Sequence, residues 1–554
     1  MEGVLIVLAV VVVLFLKGIY DNKNLKKKLL ARINYSYGKI PAKKHNEEKL
    51  KALKYYHEQH HTPYDVDDIT WNDLNMDNVY NLINSCNSAY GEEYLYALLR
   101  SPEVSDEKLK ERGRLIKLFT ADKELRNTLS VEFSCMGTMK NISVFEYMGS
   151  LKNAVLEGAG IHILFDFLMA LSIAYIFINP PVGIIGTVVM LFVNVISYFR
   201  FKTKVENYFV IVGFIVRSLN SAKLLTKIDN EDIKPYIERL KACSKDFNGM
   251  RHGAWLVSGA ASNSSDLGQL FLDYLRMLFH IDLIKFNFMY RTFLNKEKSF
   301  NEIFEIIGLL DSMIAVASFR DLMGRNCEPV FSKEKKLNAD GMYHPLVEDP
   351  VPVTFSTDKS VLLTGSNASG KSTFLKTVAI NQILSQTIDT ALATSYETTF
   401  FNVMSSMALK DDIVGGQSYY IVEICSLKRI IERINEDIPV LVFIDEVLKG
   451  TNTLERIAAS SRILLSLATS KALCFAATHD IELTFILENY YKNYHFEEQV
   501  SENDVVFDYT LREGRAVSRN AIKLLSILGY PEEIIENATE MAQNYLNTNE
   551  WKVY

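Results

Sequence analysis

The sequence predicts an all-α N-terminal region that includes membrane-spanning helices, followed by a C-terminal α/β domain built on a parallel sheet. Three observations carry this expectation. Residues 340–500 alternate short apolar runs ("SVLLTG", "VLVFIDE", "ALCFAATH") with helical stretches, the pattern of a parallel sheet covered on both faces. Residues 73–150 and 205–330 read instead as helices, with long amphipathic stretches such as "SFNEIFEIIGLLDSMIAVASFRDLM" at 299–323. Two apolar segments, 161–178 and 182–199, flank Asn179-Pro180-Pro181, a turn signal that cannot sit inside either helix.

Composition narrows the classes. A chain of 554 residues has length for several domains, and its 48% hydrophobic and 23% charged residues suit a folded protein. The formal net charge of −7 gives no global basic footprint for nucleic acid. Six cysteines (Cys86, Cys135, Cys243, Cys327, Cys425, Cys474) are widely spaced and form no C-x-x-C pair. They fit reduced thiols in a cytosolic compartment and speak against a disulfide framework or a zinc site.

Three membrane spans are expected. Residues 3–16 carry no charge, and the run extends to Tyr20. Glu2 in place of a cationic lead, and no small-x-small cleavage site, favour a retained anchor over a cleaved signal. Residues 21–54 then hold eleven Lys/Arg against three acids, which places that side in the cytoplasm and suits anionic headgroups. Residues 161–178 and 182–199 are 18 residues each, near the lower limit for crossing a bilayer, and "RFKTK" (200–204) supplies a cationic exit. An in–out–in hairpin leaves the rest of the chain in the cytoplasm. Asp166 and Asn194 are costly at hydrocarbon depth; Asp166, about a turn and a half inside its helix, is expected at an interface or facing a helix in preference to serving as a proton relay. The expected organisation is an anchor (1–20), a basic linker (21–72), a helical core in two parts (73–160 and 200–335) split by the hairpin (161–199), and the α/β domain with C-terminal helices (336–554).

The chemistry-bearing motifs lie in that last segment. "VLLTGSNASGKSTFLKTVAI" is an apolar strand, then Gly365-Ser366-Asn367-Ala368-Ser369-Gly370-Lys371-Ser372-Thr373, then a helix. In strand–loop–helix context this is a phosphate-binding loop: backbone N–H groups wrap the phosphates, and the helix N-terminus adds its positive end. Lys371 is expected to reach the β/γ-phosphates and Ser372 to ligate Mg²⁺, with ATP as the nucleotide. "VLVFIDEV" (440–447) is a buried strand ending in two carboxylates, Asp445 for Mg²⁺ through water and Glu446 as general base for the attacking water. "LCFAATHD" (473–480) presents His479 at a strand end where a γ-phosphate would sit. "DDIVGGQSYYIVEI" (411–424) is a Gly-Gly turn opening a helix. Ser418 at its start is expected to act in trans on the γ-phosphate held by a partner subunit.

This set resembles the ATPase of the MutS family of DNA mismatch-repair proteins. The resemblance rests on Gly365–Thr373, Gly416-Gln417-Ser418, Asp445-Glu446-x-x-x-Gly450-Thr451 and Thr478-His479. It is extended by "HPLVE" (344–348), by "YTLREGRAVSRNAIKLLSILGYPEEIIENA" (509–538), and by helical stretches at 84–119 and 305–331, so that it covers roughly 75–150 and 205–540. It implies Mg-dependent ATP hydrolysis in a homodimer with composite sites. Departures are Ser366 for proline and Ser369 for glycine in the loop, Tyr419-Tyr420 for Thr-Phe, Glu455 for aspartate and Arg456 for glycine; none removes a phosphate-binding group. No mismatch-reading Phe-x-Glu segment is recognised, since Phe145-Glu146 falls in expected core helix, and the hairpin sits near where the family inserts its DNA clamp. Two alternatives stand beside this reading. One is a DNA-binding protein of repair type tethered to the membrane. The other is a transporter-type ATPase, which "VGGQS" faintly resembles but which the short interval after the loop disfavours.

Overall fold

The computed structural model describes residues 20, 23–42, 44–152, 158–258, 267–366, 369–407, 419–434, 436–449, 451–500, 505–516, 522, 525, 529–548 and 550–553. The anchor expected at 1–20, the loop residues Asn367 and Ala368, and Ser418 with most of its motif lie outside these, apart from Tyr20. The chain divides into two compact units. One takes Met1–His60, Asn81–Ala97 and Leu115–Leu322; the other takes His61–Tyr80, Leu98–Arg114 and Met323–Tyr554.

The first unit is helical, and its longest element runs unbroken from Pro180 to Leu225, 46 residues or about 69 Å at 1.5 Å per residue. The expected exit at 200–204 therefore lies within a helix. Lysine and arginine are good helix formers, and no proline follows Pro181 until Pro235. Beyond Lys204 this helix becomes core: Phe209, Phe214, Ile215, Leu219 and Leu225 are buried. Phe209 stacks on Phe286 with ring centres 4.9 Å apart, and Phe214 on Tyr90 at 5.7 Å. Among the described residues two stretches have the length and hydropathy to cross a membrane, Pro180–Glu206 and Tyr208–Leu225; the second is 61% buried and so serves as a core helix. The other leg of the hairpin, Gly160–Tyr175, is shorter, at 16 residues.

The helix Glu297–Met323 is buried along most of its length. Its Asp311 carboxylate accepts the Asn87 N–H at 3.1 Å, the Ser88 N–H at 2.8 Å and the Ser88 hydroxyl at 2.6 Å. It thereby fixes the two residues that lead into the helix Ala89–Arg100, and the Ser88 hydroxyl in turn accepts the Gly91 N–H at 3.1 Å as a cap on the first turn. Gly91 makes this approach possible, because a Cβ there would lie 2.3 Å from an Asp311 oxygen. Burial raises the Asp311 carboxyl to about 6, against the hydrogen bonds that favour its charge.

The second unit is α/β. Its strands are β1 (Val330–Phe331), β2 (Leu337–Met342), β3 (Val353–Thr357), β4 (Ser360–Thr364), β5 (Ser395–Thr398), β6 (Asn402–Ser406), β7 (Val440–Asp445), β8 (Leu473–Ala477), β9 (Tyr491–His495), β10 (Glu498–Val500), β11 (Val505–Phe507) and β12 (Arg512–Glu513). The main sheet has the order β12-β9-β4-β8-β7-β6, parallel from β6 to β9, with β12 antiparallel at one edge. A four-stranded sheet, β1-β5-β2-β3, and the β10-β11 ribbon complete it. Strands β4 and β8 are buried throughout, as expected of continuous apolar runs in a parallel sheet. The edge strand β6 is covered by the short helix Asp68–Asp73 of the same unit. Ser405 N–H donates to Thr70 Oγ1 at 3.0 Å, and Asp73 accepts the Ser405 hydroxyl at 2.7 Å and the Met407 N–H at 2.9 Å. Covering this edge removes a template for pairing with other chains.

Replacing Asp311 by alanine strands two buried donors of Ser88 and the half-buried N–H of Asn87. The expected outcome is destabilisation of the helical unit by about 2–4 kcal/mol, read as a lower denaturant midpoint of the full chain by circular dichroism. A shift below about 0.5 kcal/mol would contradict the role given to Asp311.

Candidate active site

Strand β4 delivers the loop. Gly365 and Gly370 adopt φ of +143° and +103°, a region that side chains rarely enter. A Cβ on Gly365 would lie 2.7 Å from the Phe496 carbonyl oxygen. Lys371 then opens the helix Lys371–Ile388, with Gly370 at its N-cap. The buried Lys371 ammonium folds back across the loop, donating to the carbonyls of Gly365 at 2.7 Å and Ser366 at 2.6 Å. Ser369 contributes a buried hydroxyl with no hydrogen-bond partner among the described residues. A buried orphan hydroxyl inside a turn of this kind fits a phosphate oxygen.

The register of the main sheet brings the other motifs alongside. Leu363 on β4 and Asp445 on β7 both pair with Ala477 on β8, so the three strands end at one level. The Ser372 hydroxyl donates to Asp445 Oδ2 at 2.5 Å, joining the first turn of the loop helix to the end of β7. Glu446 follows at φ +62°, a left-handed conformation that is strained for a non-glycine residue and concentrates at functional sites. Its N–H donates to the Ala477 carbonyl at 3.0 Å. Its carboxylate is gripped from two sides, by His479 Nε2 at 3.2 Å and Lys449 Nζ at 3.0 Å. The buried Glu423, on the helix Tyr419–Arg433, accepts the Leu448 N–H at 2.5 Å and so holds the turn that follows Glu446. Burial raises the Glu423 carboxyl above its ordinary range.

These groups open onto a cavity of about 520 Å³ lined by Ser369 to Thr373, Asp445 and Glu446, and also by His344, Val351, Phe496 and Tyr509. Of the sequence-predicted residues, Ser366, Ser369 to Thr373, Asp445 and Glu446 line it, Gly365 shapes its loop, and His479 joins through Glu446. Asn367, Ala368 and Ser418 lie outside the described residues. Sequence reasoning missed Tyr509, which sits at φ +51° with its ring 3.2 Å from where a Gly370 Cβ would stand. It also missed Phe496 and Val351. These apolar groups give one wall the character suited to a flat base, and only the fold brings them to the loop. Arg456, noted only as a departure, makes a two-pronged ion pair with Asp480 at 2.9 and 2.6 Å, beside His479.

Residues 361–546 match the family model of MutS domain V. They form a P-loop ATPase domain of the MutS type. The DNA mismatch repair protein MutS of Pseudothermotoga lettingae is 31% identical over 266 residues, covering 45% of this chain and 32% of that protein. MutS of Natronomonas pharaonis is 32% identical over 221 residues, covering 37% of this chain and 26% of that protein. MutS of Leptospira interrogans serovar copenhageni is 30% identical over 277 residues, covering 47% and 32%. The chain thus spans about a third or less of the length of these relatives. A domain of MutS type uses ATP with Mg²⁺, and the match favours this reading over the transporter-type ATPase.

One wall of the MutS-type domain carries a pH dependence. His344 is buried, its Nδ1 accepts the Leu346 N–H at 3.1 Å, and burial with Lys376 nearby lowers its pKa from 6.5 to about 4. The unfolded ring takes up a proton near pH 6.5 while the folded ring stays neutral to about pH 4. Stability is therefore full above pH 6.5 and is lost as pH falls toward 4, by about 2 kcal/mol at pH 5. His344→Asn keeps an acceptor without titrating. Urea midpoints at pH 8 and pH 5 should differ less in this variant than in the parent chain; equal pH dependence would contradict the assignment.

Proposed function

We propose that this protein is a membrane-attached, MutS-like ATPase that works as a homodimer. ATP binding closes two composite sites, hydrolysis reopens them, and the cycle moves the helical region. The observation that carries the catalytic part is the convergence of Lys371, the Ser372–Asp445 pair and the Glu446–His479 pair at the ends of three adjacent strands. Lys371 leaves the loop carbonyls for the β/γ-phosphates. Ser372 and Asp445 form an all-oxygen donor set suited to a hard divalent ion, and Mg²⁺ bound with the nucleotide neutralises phosphate charge. Glu446 orients a water and accepts its proton as the water oxygen bonds to the γ-phosphorus and the bond to ADP breaks. His479 and Lys449 hold that carboxylate in place. Ser418 is assigned to the γ-phosphate on the partner subunit.

The membrane part is supported by the hairpin. Apolar side chains are exposed on both of its legs and at its tip, with Phe177 88%, Ile178 76% and Ile185 65% accessible. A contiguous apolar surface of this kind marks a membrane or protein contact. The basic segment at 21–54 suits the adjoining headgroups.

Two variants separate binding from chemistry. Lys371→Ala should lower ATP affinity by at least about 100-fold, measured by equilibrium binding of a fluorescent ATP analogue. Glu446→Gln should keep affinity within a few-fold while turnover drops by about 10²–10⁴. Turnover at the parent rate in either variant would overturn the assignment.

A further inference from the structure

Resting on the membrane reading, we propose that the hairpin is re-entrant: lipid surrounds it, and its tip ends inside the hydrocarbon instead of emerging on the far side. Residues 167–199 carry no charge, tip included. From 167 to 193 the polar side chains are Ser172, Tyr175, Asn179 and Thr187. Two of these face inward between the legs: Thr187 Oγ1 approaches Ser172 Oγ at 3.3 Å and donates to the Gly183 carbonyl at 2.9 Å, and Ser172 donates to the Met169 carbonyl at 2.8 Å. Small residues let the legs close. A Cβ on Gly183 would lie 2.4 Å from Ile176 N, and one on Gly186 would touch Ser172. Polar and small residues inside with large apolar residues outside is the pattern of helix pairs in lipid.

Most N–H groups of the tip are paired as well. Bilayer hydrocarbon tolerates a turn only where backbone groups are satisfied. The N–H groups of Ile176, Phe177, Ile178 and Asn179 donate to carbonyls of residues 173–175, and Gly183 N–H donates to Asn179 O at 2.9 Å. Pro180 and Pro181, at the start of the long helix, have no N–H to satisfy. Phe177 and Ile178 are exposed at the tip together with the uncharged Asn179, Pro180 and Pro181, where a tip in water would be expected to show charge.

Length decides the depth. The helices Leu267–Phe279 and Ile281–Asn295 meet at His280, and this corner grips both legs. Asn194 Nδ2 donates to the Leu278 carbonyl at 2.7 Å, the Asn194 carbonyl meets His280 Nε2 at 2.9 Å, and His162 Nδ1 meets His280 Nδ1 at 3.0 Å. From Asn194 back to Pro180, and from His162 on to Tyr175, the free legs are each about 20 Å long at 1.5 Å per residue. The hydrocarbon is about 30 Å thick. Asp166 reinforces the limit. It stands nine residues before the end of the shorter leg, about 14 Å from the tip, so a spanning hairpin would put its carboxyl near mid-bilayer. A tip held within the hydrocarbon leaves Asp166 close to the entry face. Arg200 and Lys204, one to three turns behind Asn194, then meet the headgroups.

Two measurements on the full chain in membranes test this. In the first, Ile178→Cys protein in sealed vesicles that enclose the α/β unit is exposed to an impermeant maleimide, read by mass on the peptide containing position 178. In the second, Phe177→Trp fluorescence is quenched by lipids brominated at set depths, relative to the unsubstituted chain. The expected result is no labelling until detergent is added, with quenching strongest for bromines near the chain ends. Labelling from outside would overturn the re-entrant hairpin and leave a membrane protein with a spanning one. Membrane-bound protein with no quenching would show that the hairpin lies outside lipid, overturning the proposal while leaving attachment elsewhere. Protein that fails to float with vesicles would remove the membrane reading itself.

Discussion

The hydrogen bond from Ser372 to Asp445 is the contact on which the candidate site depends, because it joins two motifs that lie 73 residues apart in sequence. The sheet makes it possible by aligning the two strand ends. Strands β4 and β7 flank β8 in parallel register, so the loop, the paired carboxylates and His479 emerge at one edge. Parallel pairing needs crossover connections, and these are the helices that start with Lys371 and Thr453. The left-handed backbone at Glu446 is a consequence of the same geometry. With its N–H fixed on Ala477, its carboxylate can turn toward His479 and Lys449.

Much of the site was legible in the sequence because phosphate chemistry constrains residue type and spacing at the same time. Glycines at 365 and 370, Lys371, Ser372 and the acids at 445 and 446 each have few substitutes, and the flanking apolar runs reveal their strands. What was illegible came from tertiary placement. Tyr509 and Phe496 carry no local pattern, and they reach the loop only because β9 lies next to β4 and the chain returns through β12. Glu423 stands in a motif read for its serine, and its role of holding the turn after Glu446 depends on a strand that follows it. Arg456 departs from the family pattern, and its partner Asp480 stands 24 residues further on, a pairing only the fold brings about.

The helical part shows the same division. Asn179-Pro180-Pro181 marked the turn, but the first helix ends earlier, at Tyr175, and both prolines lie inside the second, at its first turn, where a missing N–H leaves no helical bond broken. The cationic stretch at 200–204, expected as the exit from the membrane, lies inside that second helix. Charge alone does not stop a helix, and hydrophobic burial of Phe209 to Leu225 continues it into the core. A single rigid element therefore carries both an exposed apolar end and a buried end. Similarly, segment 61–80 belongs with the α/β unit because Thr70 and Asp73 satisfy the open edge of β6, and segment 98–114 because the Glu103 N–H and Arg112 donate to the Gln386 and Thr387 carbonyls, demands invisible in either segment alone.

The proposed cycle places hydrolysis in sites shared between two copies of the chain. The most direct measurement mixes two inactive variants, Lys371→Ala and Ser418→Ala, and follows ATP turnover as the subunits exchange. If Ser418 acts in trans, a mixed dimer holds one site with both defects and one with neither, and turnover should recover toward half the parent rate per dimer. Turnover that stays at the level of the separate variants, while exchange is confirmed by differently tagged chains, would contradict it.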